Sequence, residues 1–340
     1  MKSKKLMVTG GAGFMGSYFI KYMLKNHPYL EVVNYDALTY SGNQENLKEV
    51  ADDHRYTFVQ GDITSLDQLE AAVKEHMPDT IVNFAAETHV DRSIMDPLLA
   101  VRTNTVGTTA VLHIATKYKL KMLQVSTDEV FGSIPEGHFT EESPMEPNSP
   151  YSAGKAGGDL MCGAYFETYK TDVVVTHCCN VMGPNQYPEK LIPLFITNLI
   201  EGKKVPVYGD GLNVREWIYV EDHSRALEFL LEHGTSGEVY NIGTGFEKTN
   251  LEMTHEILDR LGKDESSIEY VQDRKGHDKR YAIDSSKIRA MGWEPVYDFD
   301  TAMNRIVQWY QENEDWWKKI KSGEYREYYE KQYQQESDKN

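Results

Sequence analysis

Two short stretches of the chain carry side chains whose types and spacing suit proton-transfer chemistry. The first, 126-STDEVFG-132, sets Asp128 beside Glu129 after an apolar run, with Thr127 before the pair and a glycine behind it. A buried strand has no use for adjacent carboxylates. Two acids held close together push their pKa values apart and can serve as proton donor and proton acceptor. Neighbours on a regular strand point to opposite faces, so the pair is expected where a strand opens into a loop. The second stretch, 151-YSAGK-155, puts Tyr151 and Lys155 four residues apart, on one face of a helix. A free phenol has a pKa of about 10. A nearby ammonium favours the phenolate. Such a pair can take a proton from a hydroxyl while hydride leaves the same carbon.

Those residues need a scaffold, and the first half of the chain spells one out. KKLMVTG, EVVNYDAL, RYTFVQGD, TIVNFAA, KMLQVS and DVVVTHC read as strands. Between them lie amphipathic segments, among them FMGSYFIKYMLKNH, the single long stretch 97–118 and YSAGKAGGDLMCGAYFETY. Alternation of this kind predicts an α/β fold, a doubly wound parallel sheet of Rossmann type, with a smaller C-terminal α/β substrate-binding domain. The expected division is 1–180 for nucleotide binding and 181–333 mainly for substrate, with segments crossing back, then a disordered tail at 334–340. The aromatic, charged stretch 309–333 is read as a docked or solvent-facing helix.

The stretch 8-VTGGAGFMG-16 follows the first strand and opens the first helix. Gly10, Gly11, Gly13 and Gly16 allow a tight turn and close approach of a pyrophosphate to the backbone, at a helix N-terminus that favours negative charge. Asp36, at the end of the second strand, stands 20 residues beyond Gly16, where a partner for ribose hydroxyls is expected. A carboxylate there repels a 2′-phosphate, which favours NAD over NADP. Asp62, in QGDI, is placed to hydrogen-bond the adenine or to cap a helix.

The net charge of −17 over 340 residues argues against a nucleic-acid or anionic-membrane partner. No run of about 18 apolar residues exists, and LMV is too short for a signal peptide, so a cytoplasmic protein is expected. Cys162, Cys178 and Cys179 form no CxxC pair and read as inert thiols. No metal is expected.

The glycine motif, NFAAE, STDE, YSAGK and GPNQYPEKLIP together resemble the extended short-chain dehydrogenases, and within them the dTDP-glucose 4,6-dehydratases. The likeness continues through 89-HVDRSI-94, 206-PVYGDGLNVREWIYVEDH-223, 276-GHDKRYAID-284 and 322-SGEYREYYEKQY-333. It implies that Tyr151 removes the sugar 4-hydroxyl proton as hydride passes from C4 to NAD, with Lys155 beside it and Thr127 bonded to the 4-oxygen. Glu129 then takes the C5 proton, Asp128 protonates the departing 6-hydroxyl, and hydride returns to C6. The resemblance also implies a cofactor site of Gly10, Gly11, Gly13, Phe14, Met15, Gly16, Asp36, Asp62, Ile63, Ala85, Ala86, Tyr151, Lys155 and Asn180. For a nucleotide-diphosphate sugar it implies Glu87, His89, Asn180, Lys190, Leu191, Pro206, Tyr208, Arg215, Asn250, Arg274 and His277.

The chain also departs from that family. It reads 177-HCCNVMGP-184 where the family usually has Arg, Ser, Asn and Tyr, Gly154 where a second Ser or Thr is usual, and TDEVFG for TDEVYG. A UDP-hexose or UDP-GlcNAc therefore stays open as substrate, as does 4-epimerisation or decarboxylation on the same scaffold. A non-catalytic NAD sensor has no use for the four acid–base groups. Apolar stripes on the helices at 97–118 and 151–169, which in the family serve dimerisation, predict a homodimer.

Overall fold

The structure, a computed structural model, describes residues 3–274 and 276–323. The six apolar runs of the first half become strands β1 (Lys5–Thr9), β2 (Glu31–Asp36), β3 (Tyr56–Gln60), β4 (Thr80–Asn83), β5 (Lys121–Thr127) and β6 (Val173–Cys178). Past them come β7 (Asn180–Met182), β8 (Val205–Tyr208), β9 (Val214–Tyr219), β10 (Val239–Ile242), β11 (Glu247–Thr249) and β12 (Ile268–Val271). β10 joins the first six in one parallel sheet of order β10-β6-β5-β4-β1-β2-β3. Chain order reverses beside β1, and the crevice at that switch is where open α/β sheets take their ligands. β11-β9-β7 and β12-β8 form two small separate sheets.

Alternation along β1 sends Leu6 and Val8 into one core and Met7 into another, one on each face of the sheet. The long stretch at 97–118 is helical but not uniform. An α-helix at Pro97–Val101 runs into a π-helical stretch at Arg102–Gly107, then into Thr108–Tyr118. The widened turn lies against the Pro150–Tyr169 helix at its glycines. A Cβ on Gly157 would lie 2.7 Å from Thr105 Oγ1, and one on Gly158 2.6 Å from the Asn104 carbonyl. Thr105 Oγ1 donates to the Gly154 carbonyl at 2.8 Å. Gly154, a departure from the resembled family, is thus a contact point, since a Cβ there would sit 3.1 Å from the Ala100 carbonyl. This clamp holds the helix that carries Tyr151 and Lys155.

The C-terminal stretch is two helices, Phe299–Glu312 and Glu314–Lys321, broken at Asn313. Trp316 and Trp317 are buried, and their indole N–H groups donate to Asn46 Oδ1 and the Tyr310 carbonyl. The remainder of the segment read as helical, from 324, and the tail at 334–340 lie outside the described residues. Among the described residues, no helix is long and apolar enough to cross a membrane, and no group of three or more His, Cys, Asp or Glu could hold a metal ion.

Candidate active site

β5 ends at Thr127, and Asp128–Phe131 forms a single 3₁₀ turn closed by Gly132 at φ +79°. Leaving the strand lets both acids face one region, as their adjacency requires. Thr127 Oγ1 accepts from the Glu129 N–H at 3.3 Å and donates to Asp128 Oδ1 at 3.3 Å. Tyr151 enters the site from the first turn of its helix, which is started by Pro150 and a Ser149–Ser152 capping box. Its N–H donates to Ser93 Oγ at 3.1 Å. One turn on, Lys155 Nζ donates to the Val125 carbonyl at 2.6 Å, tying helix to strand.

Burial dominates the electrostatics here. It pushes Asp128 well above the usual carboxylate range, and the charges of Glu129 and Glu216 push the same way. Burial raises Glu129 too, but Lys190, Arg215 and Arg274 oppose it. The two acids are therefore pushed apart: Asp128 keeps its proton and Glu129 sheds one more easily. Burial also raises the Tyr151 phenol, an effect its hydrogen bond with Thr127 opposes, and lowers Lys155. A carboxyl whose pKa is raised on folding binds protons more tightly when folded, so it erodes stability as pH climbs above the unfolded value of about 4. Asp128→Asn is accordingly expected to raise Tm at pH 7–8 by about 1–2 °C, the shift that 1 kcal/mol brings in a chain of 340 residues. The gain should vanish toward pH 4 in thermal melts; an unchanged or lower Tm at neutral pH contradicts the assignment.

Two cavities meet at this point. The first, of about 310 Å³, is lined by Gly10, Gly13, Phe14, Met15, Gly16, Asp36, Asp62, Ile63, Ala85, Ala86, Glu87, Thr127, Asp128, Glu129, Tyr151, Lys155 and Asn180. The second, of about 160 Å³, is lined by His89, Glu129, Asn180, Lys190, Leu191, Pro206, Tyr208, Arg215, Asn250, Arg274 and His277. Glu129, Asn180 and Lys190 line both. Glu87, assigned above to the sugar nucleotide, lies on the first cavity, where Asn104 bonds its backbone N–H and carbonyl at 2.9 and 3.0 Å.

The first cavity fits a dinucleotide. Gly10 has φ +69°, and a Cβ there would lie 2.6 Å from the Ala85 nitrogen; a Cβ on Gly16 would lie 2.5 Å from the Gly10 carbonyl. Gly11 does not line the cavity. A Cβ there would strike the Asn34 side chain, so this glycine serves helix–strand packing. Asp36 accepts from the Ala12 and Leu38 N–H groups at 2.8 and 2.7 Å, which fixes its carboxylate at the cavity wall. Asp62 accepts from the Thr64 N–H at 2.8 Å, a local turn, and lines the cavity wall; it does not cap the next helix, Leu66–His76, whose N-cap is Ser65.

In the second cavity the cations are already oriented. Arg215 donates to the Val214 and Asp278 carbonyls at 2.7 and 2.9 Å and lies over the Tyr281 ring, 4.2 Å from its centroid. Arg274 pairs with Asp91 at 2.8 Å, Lys190 donates to the Thr88 carbonyl at 2.6 Å, and His277 Nδ1 lies 2.6 Å from Asp273. His89 is buried, which holds its pKa well below the usual range, and its ring caps the Val90–Met95 helix. Glu189 was missed in the sequence. It is buried between the cavities, accepting from Tyr40 at 2.9 Å and Arg92 at 3.1 Å. Its place beside Lys190 in PEKLIP was the one available hint. Tyr281, whose hydroxyl donates to Asp278 at 2.6 Å, left no signal of its own.

A sheet of this order, with a tyrosine and a lysine one turn apart beside the glycine loop, places the molecule among the extended short-chain dehydrogenases. The chain belongs to the family described as GDP-mannose 4,6 dehydratase, which matches residues 7–306. It is 49% identical over 324 residues to a dTDP-glucose 4,6-dehydratase of Streptomyces niveus, covering 94% of this chain and 96% of the relative. It is 50% identical over 306 residues to the low-salt glycan biosynthesis protein Agl12 of Haloferax volcanii, covering 90% and 98%. Among solved structures it is similar to DesIV, a dTDP-glucose 4,6-dehydratase from Streptomyces venezuelae with NAD and TYD bound. There the TM-score is 0.90 at 49% identity, with 93% of this chain and 99% of that one covered.

Proposed function

We propose that this protein is a nucleotide-sugar 4,6-dehydratase that converts dTDP-glucose to dTDP-4-keto-6-deoxyglucose with bound NAD. The observation that carries the reading is the meeting of the two cavities at Glu129, beside Asp128 and Tyr151. A hexose there reaches phenol, acid and base together, while its diphosphate faces Lys190, Arg215 and Arg274. The glycine loop and Asp36 hold the dinucleotide. When bound, the nicotinamide supplies hydride acceptance from C4 and hydride return to C6.

Tyr151, supported by the Lys155 ammonium, takes the 4-hydroxyl proton, and the Thr127 hydroxyl steadies the 4-oxygen. The resulting ketone acidifies the C5 proton, which Glu129 removes. Asp128 gives its proton to the 6-hydroxyl, the C6–O bond breaks and water departs. The carboxyl that burial keeps protonated is thus the donor, and the one facing three cations is the acceptor.

Incubation of the protein with dTDP-glucose, UDP-glucose and UDP-GlcNAc, followed by mass analysis, tests this reading. Loss of one water from dTDP-glucose is the expected result. An isomer of unchanged mass resolved by chromatography, loss of water from a UDP-sugar but not from dTDP-glucose, or no product from any of them contradicts it. Exposed Leu98, Val101, Val106 and Leu160, on the clamped helices, support a homodimer. A monomer elution volume at micromolar concentration contradicts the dimer.

A further inference from the structure

One turn beyond Lys155 lies a buried polar cluster that the steps above leave unused. Asp159 shares a helix face with Lys155. Its Oδ2 accepts from the Ser126 hydroxyl at 2.5 Å and lies 3.2 Å from His177 Nε2. Ser126 and His177 are register partners on β5 and β6, and Asn241 of β10 is the partner of His177, so the three form a row on one face of the sheet. Asp159 is 6% exposed, Ser126 3% and His177 1%. Phe131 packs edge-on against the imidazole, with centroids 4.8 Å apart. Asp159 Oδ1 and His177 Nδ1 find no hydrogen-bond partner among the described residues. A buried carboxylate set this carefully, and not fully satisfied, must be offset by a positive neighbour.

Resting on the dehydratase reading, we propose that Asp159 is a positioning residue: it is the counter-ion that holds Lys155 as an ammonium under Tyr151. His177 sits against the same carboxylate, its Nε2 3.2 Å from Asp159 Oδ2, where the resembled family usually has an arginine, a permanent cation. Lys155 and Asp159 stand four residues apart on one buried helix face, the spacing at which opposite charges on a helix support each other.

Among the described residues, Asp159 is the carboxylate that bears on Lys155. Burial pulls Lys155 down, and the first influence opposing it is the Asp159 carboxylate. The thiols of Cys162, on the same helix, and Cys178, on β6, also face Lys155. Burial pushes both upward, Cys178 to about 12, so neither carries charge at neutral pH. Asp128 and Glu129, from the turn after β5, bear on Tyr151. The helix packed on the other side presents Asn104, Thr105 and Thr108, which do not titrate in this range.

The test is the pH profile of kcat/KM for dTDP-glucose with the NAD-loaded full chain, joined to an isotope-edited NMR titration of the Lys155 ammonium without substrate. Asp159→Asn is expected to move the alkaline limb down by about one pH unit or more, and the Lys155 titration with it, leaving the acid limb in place. His177→Arg should move both in the same direction, less far, because a permanent guanidinium offsets the carboxylate. A merely structural role gives a profile lowered by one factor at every pH, with the limbs and the Lys155 titration unmoved, and that outcome overturns the proposal. Should Asp159→Asn fail to fold, His177→Arg decides alone: limbs and titration coinciding with those of the native protein overturn it. If the native protein dehydrates none of the sugars, the functional reading falls, and the NMR titration still decides the counter-ion role.

Discussion

Glu129→Gln should keep its hold on NAD and the nucleotide sugar while losing dehydration by about 10²–10⁴-fold. Glutamine matches glutamate in shape but cannot accept the C5 proton. Glu129 stands where the two cavities join, and Lys190, Arg215 and Arg274 bias its carboxyl toward the charged form against a desolvation that favours the neutral one. Oxidation at C4 relies on Tyr151, Lys155 and Thr127, so the near-ultraviolet band of reduced nicotinamide should still appear. What should disappear is exchange of the sugar C5 hydrogen with deuterated solvent. The variant also removes a negative charge beside the diphosphate site, so substrate affinity should hold or tighten. A variant that exchanges the C5 hydrogen at the native rate takes the base role away from Glu129. One that loses nicotinamide reduction as well moves Glu129 to the oxidation step.

Much of this site could be anticipated because local chemistry forced it. Adjacent acids cannot face one cavity from a regular strand, and β5 does end at Thr127 with a turn beginning at Asp128. Tyr151 and Lys155 at helical spacing lie on one buried face, and the glycine loop opens the first helix at Phe14. Harder to foresee was anything that depends on register between distant strands. Ser126, His177 and Asn241 are brought side by side only by the pairing of β5, β6 and β10, and β10 lies far along the chain. Nothing in the sequence marks Glu189 as buried, because a lone glutamate is usually exposed. Its burial comes from Arg92 and Tyr40, each far away in the sequence. Gly11 was read with the phosphate loop since all four glycines fit the motif, yet spacing cannot separate a glycine that meets a ligand from one that meets Asn34. The π-helical turn at 102–107 was equally hidden, because its cause is the glycine face of a different helix.

Tyr151→Phe should stop the sequence one step earlier than Glu129→Gln, and the contrast between them separates oxidation from dehydration. Phenylalanine keeps the ring in the first turn of its helix, on the wall of the first cavity, but cannot take the 4-hydroxyl proton. Turnover should fall by about 10²–10⁴-fold, with no band of reduced nicotinamide and no C5 exchange, since without the C4 ketone the C5 hydrogen is not acidic. Substrate binding, which rests on the cations of the second cavity, should change little. The pH dependence has a definite sign. Burial and the charges of Glu129 and Asp128 raise the phenol, so the phenolate fraction grows as pH rises through the neutral range. In the native protein the rate of nicotinamide reduction should rise with it, until Lys155 loses its proton. In Tyr151→Phe the residual rate should lose that dependence. A phenylalanine variant that still reduces nicotinamide, with the native slope against pH, places the base elsewhere; the carboxylates that bear on the Tyr151 phenol are Glu129 and Asp128, and the Glu129→Gln measurement chooses between them.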